Sequence, residues 1–386
     1  MTKRNLWITI GAVVVIAAVI AGIRMISKPA PEEQVIKMGA ILPLTGNAAS
    51  YGVEEQKGMM IAVSEINESG GLIGRKMRVQ YEDSKGSTQE ALNALRKLRN
   101  GGISIIFTSL TGPSKAIKPI AEREGFLQII YGMTDDLPQD AANVFRIYPS
   151  LSEEGDSFVK YARTRRPKRV GVLYLDNVAF DYLVSRVLEP GLRESGIQDL
   201  VKETFTADKV EGVKSAIQRI KGSKVEMIFI AAYYNYIAAI LKEIRVQNLF
   251  GTAEIVGGLD VPVAVFTLRD FDPTLAEGVV CAVPKFMLYL SDSSYAGDEA
   301  RRFLTAYKSR YKSLPTYDAA YGYDAVMLLA EAIRKAGNTH VENLRTHLTG
   351  LAIDKAAGRI IILEDGNSQT EWLLAKLQNG KLVVIE

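Results

Sequence analysis

Threonines, serines and glycines cluster in three loops that each follow an apolar run of the sequence. The loops cover residues 44–46, 108–112 and 131–134 and read LTG, TSLTG and YGMT. Hydroxyl groups and free backbone N–H groups at the start of a helix can hold a small anion such as a carboxylate. One such loop is most often an ordinary helix cap, but three loops at the ends of neighbouring strands favour a ligand pocket.

Motifs for catalysis, metal binding or cofactor binding are missing from the sequence. It contains no GxxxxGKS/T, GxSxG or HExxH pattern. The two histidines, His340 and His347, are separated by about 10 Å along a predicted helix, which is too far for them to share a metal ion. The single cysteine, Cys281, lies in an apolar run and is expected to pack in the core. We therefore expect a binding protein without metal or cofactor rather than an enzyme.

Length and composition are those of an ordinary globular protein. The chain has 386 residues, of which 47% are hydrophobic and 24% charged. These values exclude a disordered or low-complexity protein, and the length suits two domains of typical size. A formal net charge of +3 is too balanced for a general nucleic-acid binder, so we expect no nucleic-acid partner.

An apolar segment near the N-terminus stands apart from the rest of the chain. Residues 6–23 carry no charge and follow the basic residues Lys3 and Arg4. At about 1.5 Å per residue, a helix of this length approaches the thickness of a hydrocarbon core, so we predict a transmembrane helix that anchors the chain. A signal peptide cut after Ala21 is the alternative, and the lack of a nearby cysteine argues against a lipid anchor. In either case we expect the body of the protein, after residue 34, to lie outside the cytoplasm, either at the membrane or released from it.

The body alternates apolar runs with amphipathic segments, which is the pattern of an α/β protein. Apolar runs such as residues 103–109 and 224–231 predict buried parallel strands, and the segments between them predict helices on both faces of a sheet. Two such series exceed one hydrophobic core, so we predict two doubly wound lobes. After a predicted strand at Gly278–Pro284, the pattern changes to helices and then to a terminal β-meander. This change indicates a chain that crosses between the lobes more than once.

One long stretch of the body closely resembles the opening of bacterial leucine/isoleucine/valine-type solute-binding proteins. It covers residues 36–83 and reads IKMGAILPLTGNAASYGVEEQKGMMIAVSEINESGGLIGRKMRVQYED. The later runs RVGVLYLD, PTYDAAYGYDAVMLLAEAI and GRIIILEDGN resemble corresponding segments of this family in the same order. The resemblance implies the type I periplasmic binding fold, in which two lobes joined by a three-strand hinge close on a ligand. In this family the ligand is usually an amino acid that is delivered to the permease subunits of an ABC importer.

The pattern and the resemblance together divide the chain into three parts. Residues 1–34 are expected to form the membrane anchor or signal segment with its linker. Lobe 1 is expected to contain residues 35–147 and 278–348, and lobe 2 residues 148–277 and 349–386.

The family's ligand-binding positions fall on chemically suitable residues of this chain. The carboxylate-binding loop after the third strand falls on Thr111, and its partner loop falls on Gly132 and Thr134. The aromatic wall falls on Tyr51 in the first lobe and on Tyr233 in the second. The resemblance therefore implies that Thr111 and Thr134 hold a ligand carboxylate and that the two tyrosines pack its side chain.

The family pattern is altered on the second-lobe side of the site. Phe180 occupies a position that is often Tyr, so a hydroxyl group is lost. The acidic residue that holds a ligand ammonium corresponds to Leu259, with Asp260 next to it. Asp260 restores the negative charge if the loop is shifted by one residue, and Asp318, beside an aromatic position at Tyr317, is the other candidate. An ammonium group buried without such a partner would be unfavourable.

These observations favour an extracytoplasmic receptor for a small carboxylate, most often an amino acid of the branched-chain type. Its two lobes are expected to close around the ligand. Two alternatives stay open: a ligand-sensing ectodomain of the same fold that signals through a partner protein, and a receptor for an organic acid or amide without an amine. The fold does not decide between them, because function resides in the site.

Overall fold

The computed structural model describes residues 35–206 and 211–385. The predicted anchor or signal segment lies outside these residues and stays a prediction. Within the described ranges, no helix is both long enough and apolar enough to cross a membrane. The described chain is an α/β structure with two large sheets and a small third sheet, which confirms the predicted fold class.

The strands follow the apolar runs of the sequence. They are β1 (Val35–Leu42), β2 (Lys76–Asp83), β3 (Ile105–Ser109), β4 (Leu127–Tyr131), β5 (Val144–Arg146), β6 (Arg169–Leu175), β7 (Asp199–Phe205), β8 (Met227–Ala231), β9 (Glu254–Gly257), β10 (Val280–Pro284), β11 (Ala352–Lys355), β12 (Gly358–Ile362), β13 (Ser368–Gln369), β14 (Trp372–Gln378) and β15 (Lys381–Val384). Every residue of β3, β4, β8 and β10 is buried, as expected for strands of a sheet that is covered on both faces.

The helices lie between the strands. They are α1 (Ala49–Glu68), α2 (Thr88–Asn100), α3 (Thr111–Glu124), α4 (Leu151–Arg165), α5 (Val178–Tyr182), α6 (Glu189–Glu194), α7 (Glu211–Gly222), α8 (Tyr234–Val246), α9 (Asp260–Thr267), α10 (Phe286–Ser291), α11 (Asp298–Tyr311), α12 (Tyr317–Ala336) and α13 (Val341–Leu348). A π-helical stretch, Leu183–Leu188, connects α5 to α6.

The two large sheets define the two lobes. The first sheet has the strand order β2-β1-β3-β4-β5, and its neighbours are all parallel. The second has the order β15-β14-β10-β9-β8-β6-β7, in which β14 and β15 run antiparallel to their neighbours. The small sheet β11-β12-β13 is antiparallel. Loops at the carboxyl ends of β3 and β4 therefore lie side by side, as the sequence predicts.

Strand pairing places two segments differently from the predicted lobe division. The division put residues 278–348 in lobe 1, but β10 pairs with β9 and β14 inside the second sheet. It put residues 349–386 in lobe 2 as one meander, but β11 packs against α11 and α12, and only β14 and β15 join the second sheet. Apolar strand patterns do not encode the partner strand, so the division could not be read from them. We propose that the second crossover follows β10 and that the third lies near β13.

Two glycines let α1 and α12 cross at backbone distance. A Cβ atom at Gly58 would lie 1.9 Å from the backbone oxygen of Ala319, and one at Gly322 would lie 2.3 Å from the backbone oxygen of Glu55. Any side chain at either position would therefore push the helices apart. The crossing holds the first turns of α1 and α12 next to each other, and both turns contribute side chains to the site described below.

A buried arginine ties two inter-lobe segments together. Arg146, at the end of β5, is fully buried. Its Nε donates to Asn367 Oδ1 at 2.7 Å, and an Nη donates to Asp135 Oδ1 at 2.7 Å. The guanidinium also donates to the backbone oxygens of Tyr148 and Ser368. One side chain thus links the segment after β5 to the segment that begins β13.

Candidate functional site

A small cavity of about 40 Å³ lies where the carboxyl ends of β3 and β4 meet the second lobe. Its walls come from the first two turns of α1, the starts of α3, α5 and α12, the ends of β3 and β4, and the segments that follow β5 and β8. The residues that line it are Tyr51, Glu55, Ser109, Leu110, Thr111, Tyr131, Gly132, Met133, Tyr148, Ala179, Phe180, Tyr233 and Tyr317. The structure thus brings five of the seven predicted site residues, Tyr51, Thr111, Gly132, Phe180 and Tyr233, to one cavity.

Aromatic rings from both lobes meet at this cavity. The Tyr51 ring, from α1, lies 5.0 Å from the Tyr233 ring and 5.1 Å from the Tyr234 ring, measured between centroids. Phe180 lies 5.3 Å from Tyr233. These tilted pairs are at favourable distances for aromatic packing, and they hold the lobes in a closed arrangement.

Asp260 is the acidic group of the second lobe at this position. It is the first residue of α9, and its Oδ1 accepts hydrogen bonds from the Tyr51 hydroxyl at 3.2 Å and from the Tyr234 N–H at 3.0 Å. Burial, and then the neighbouring Glu154 carboxyl, raise the pKa of Asp260 well above its usual value. Leu259 is completely buried and lies outside the cavity wall. Asp260 also lies outside the cavity wall, behind Tyr51, and its role as the acid that holds a ligand ammonium stays a prediction.

Asp318 lies on the opposite side, at the start of α12. The Tyr148 hydroxyl donates to its Oδ1, and Thr316 Oγ1 donates to its Oδ2 at 2.8 Å. Burial is the main reason that the pKa of Asp318 is well above its usual value. Asp260 and Asp318 each bond a tyrosine that lines the cavity, so both candidate acids lie behind its wall and neither is part of it.

The N-terminus of α3 gives one side of the site a partial positive charge. Leu110, which precedes the helix, has φ of 68° and makes no side-chain cap. Thr111 and Gly112 open the helix, and Pro113 has no N–H, so the first-turn donors are those of the first two residues. The partial positive charge of a helix N-terminus favours an anion at this point.

The loop after β4 comes close to its surroundings at Gly132. A Cβ atom there would lie 2.6 Å from Leu137 Cδ1 and 3.0 Å from Ile130 Cγ2. The neighbouring Met133 lines the cavity, whereas Thr134 is buried and is absent from the wall. Thr134 is thus a predicted site residue that the structure places outside the cavity wall, and its contact with a ligand stays a prediction.

Several wall residues were not predicted from the sequence, above all Glu55. Its carboxyl is 1% exposed and accepts a hydrogen bond from Ser109 Oγ at 2.9 Å. Burial, and then Asp318, raise the pKa of Glu55 well above its usual value. Glu55 lies four residues after Tyr51 on the same helix face, and this spacing could have identified it. Among the described residues, no cluster of His, Cys, Asp and Glu is arranged to hold a metal ion.

The chain is similar to known proteins in sequence and in fold. The chain is 26% identical to the Leu/Ile/Val-binding protein BraC3 of Rhizobium johnstonii over 91% of this chain and 94% of that protein. The LivJ branched-chain amino acid binding protein of Streptococcus pneumoniae, solved with isoleucine, superposes with a TM-score of 0.76 at 26% identity, over 91% of this chain and 99% of that one. A Rhodopseudomonas palustris solute-binding protein solved with 3,4-dihydroxybenzoic acid shares the fold, with a TM-score of 0.78 at 20% identity over 92% and 96% of the chains. The model of the periplasmic binding protein family matches residues 35–381, and the chain therefore belongs to this family and has its type I fold.

Proposed function

We propose that this protein is the extracytoplasmic solute-binding component of an ABC importer and that its ligand is an α-amino acid. Relatives named as Leu/Ile/Val-binding proteins support the class of ligand. The observation that carries the proposal is the polarity of the cavity. A helix N-terminus lies at Thr111, the buried Asp260 carboxyl lies behind the wall residue Tyr51, and no Lys, Arg or His of the described residues lines the wall. Such a site complements a zwitterion, whose carboxylate and ammonium need opposite partners.

The wall residues then have distinct roles. Thr111 and the N–H groups that open α3, with the loop at Gly132, take the ligand carboxylate. Asp260 takes the ammonium in place of its present bonds with the tyrosines. Tyr51 and Tyr233 pack the ligand between the lobes, together with Phe180.

Ligand entry requires the lobes to separate. An apolar cavity of about 150 Å³ holds a molecule as small as benzene, whereas the present cavity measures about 40 Å³. Opening would break the contacts of Tyr51 with Tyr233 and Asp260, and closing on a ligand would restore a compact form. The permease subunits can then distinguish the loaded receptor from the empty one by its shape.

The location follows from the family and from the N-terminal sequence. Periplasmic binding proteins act outside the cytoplasm, and the apolar residues 6–23 would hold this one at the outer face of the cell membrane. Membrane fractionation and the mass of the mature chain test this: a chain that begins after Ala21 and leaves the membrane would show a cleaved signal peptide. Copurification with permease subunits, rather than with a signalling kinase, would support import over sensing.

Thermal unfolding with a ligand panel tests the function. A ligand at 100 times its Kd stabilises the folded state by about 2.7 kcal/mol, so amino acids should raise the melting temperature. Thr111→Val should weaken this effect, while the exposed Thr305→Val should not. Stabilisation by benzoate or by an aliphatic amide, with none by any amino acid, would contradict the proposal and favour a receptor for a ligand without an amine.

A further inference from the structure

Two buried polar atoms in the cavity wall have no hydrogen-bond partner. Glu55 Oε2 and the Tyr131 hydroxyl are both unpartnered among the described residues, and each side chain is 1% exposed. Seven buried side-chain atoms of the described chain share this condition, but only these two belong to residues that line the cavity. Because buried polar groups are nearly always hydrogen-bonded, an unsatisfied pair in a binding cavity points to a group on the ligand.

The Glu55 carboxyl is held so that one oxygen is bonded and the other is free. Ser109 Oγ donates to Oε1 at 2.9 Å. The backbone of Glu55 is fixed by the close crossing of α1 and α12, since Gly322 lies directly against its carbonyl oxygen. The second carboxyl oxygen therefore has no donor among the described residues, and its side chain lines the same cavity as Tyr131.

The charges around this pair select the kind of group that fits. Asp318 and Asp260 lie behind the cavity wall, where they bond Tyr148 and Tyr51, and no basic side chain of the described residues lines the cavity. A hydroxyl or ammonium group on a ligand that donates to Glu55 Oε2 would favour the ionised form of this buried carboxyl, and a cationic donor would do so most strongly because it supplies a countercharge. A carboxylate oxygen accepts such a bond, and a tyrosine hydroxyl can accept a second one.

We propose that Glu55 and Tyr131 form a second polar subsite that binds a hydrogen-bond donor on the ligand's side chain. Resting on the proposed amino-acid function, this inference narrows the ligand to short amino acids that carry a hydroxyl or ammonium group. An aliphatic side chain of the same shape would leave both groups buried and unpaired. A site of this kind discriminates strongly against an analogue that lacks the donor.

Isosteric ligand pairs test the subsite on the purified full-length chain. Threonine is compared with valine, and 2,4-diaminobutyrate with norvaline, by isothermal titration calorimetry. The donor-bearing member of at least one pair should bind about tenfold or more tightly than its aliphatic isostere. Glu55→Gln keeps an acceptor for Ser109 but places an amide where the free oxygen was, and it should abolish this preference. The exposed Glu68→Gln on the same helix is the matched control and should keep it.

The outcomes separate failure of the subsite from failure of the proposed function. Equal or tighter binding of both aliphatic members would overturn the subsite while leaving amino-acid binding intact. Stabilisation by no amino acid would overturn both proposals. If Glu55→Gln does not fold, Tyr131→Phe removes only the hydroxyl and should still reduce the preference. An unchanged preference in Tyr131→Phe would show that Tyr131 takes no part in the subsite, and an unchanged preference in a folded Glu55→Gln would overturn the proposal as a whole.

Discussion

Amino-acid binding by this protein should become tighter as the pH rises, because of Asp260. Its carboxyl is buried beside the cavity, and burial raises its pKa well above the usual value. In the closed form without ligand, the Asp260 carboxyl therefore keeps its proton to a higher pH than an aspartic acid side chain in water does. A ligand ammonium next to the carboxyl favours the ionised form and lowers this pKa, so binding releases a proton.

The sign and size of the effect follow from this difference. Between the pKa in the complex and the pKa in the free protein, the association constant rises with pH, because the free protein must lose a proton to bind. One titrating carboxyl gives a slope of up to about tenfold per pH unit, which is about 1.36 kcal/mol. A benzoate-like ligand without an amine would reverse the sign, since its carboxylate would bind better when the neighbouring acids are protonated.

Calorimetry across the acidic to mildly alkaline range measures this dependence directly. Buffers with different ionisation enthalpies count the protons released on binding. Asp260→Asn should bind weakly and with a flat pH profile, whereas Asp270→Asn, at an exposed position after the same helix, should keep the slope. An affinity that falls with pH in the unmodified protein, or an unchanged slope in Asp260→Asn, would refute the assignment of the ammonium to Asp260.

Three further changes test the packing around the site. In Gly322→Ala the new Cβ would meet the backbone oxygen of Glu55 at 2.3 Å, so chemical denaturation should show that the free energy of unfolding falls by about 1–3 kcal/mol or more. The control Gly222→Ala, whose Cβ would have no described atom within 4 Å, should not lower it. Equal stabilities of the two variants would contradict the close helix crossing. Burial raises the pKa of Glu154 to about 8 from 4.5, and an acid with a raised pKa in the folded state loses its contribution to stability as the pH rises through this interval. The melting temperature of the unmodified protein should therefore fall more steeply with pH than that of Glu154→Gln, and parallel curves would contradict this reasoning. Arg146→Met leaves several buried acceptors without a donor and should cost about 3–5 kcal/mol in denaturation experiments; a loss near zero would show that the guanidinium does not hold the inter-lobe segments.

The presence of two strand series and the positions of most strands could be predicted because these signals are local. Runs such as MIFIA in β8 and VCAVP in β10 are apolar at every position, which indicates a strand covered on both faces whatever its neighbours are. The partner of a strand is a long-range property. The register that pairs Val280 of β10 with Val256 of β9 cannot be read from the sequence of either strand. For this reason the sequence-based division assigned β10 to the wrong sheet.

The site residues show the same division between local and long-range information. Thr111 and Gly132 follow strands directly, and their position at the sheet edge is fixed by the strand ends. Whether Asp260 or Leu259 faces Tyr51 depended on the residue at which α9 begins. Because the helix begins at Asp260, the Asp260 carboxyl lies near Tyr51 and Leu259 lies in the core. Glu55 could have been found from its helical spacing to Tyr51. Its unpartnered oxygen, in contrast, depends on Ser109 from a different strand and becomes visible only in the folded chain.

The buried acids offer a physical reason for the protein to close preferentially on its ligand. Closure removes Asp260 and Asp318 from water, and burying an unpaired carboxylate is so unfavourable that each acid must instead keep its proton. Closing without a ligand is therefore unfavourable, because the two carboxyl groups must then stay protonated at a pH at which they would be ionised in water. A ligand ammonium removes this penalty because it supplies the missing countercharge inside the cavity. The closed form is then stabilised by the ligand's charge as well as by its contacts, and a molecule of similar shape without an amine should be less effective at closing the lobes.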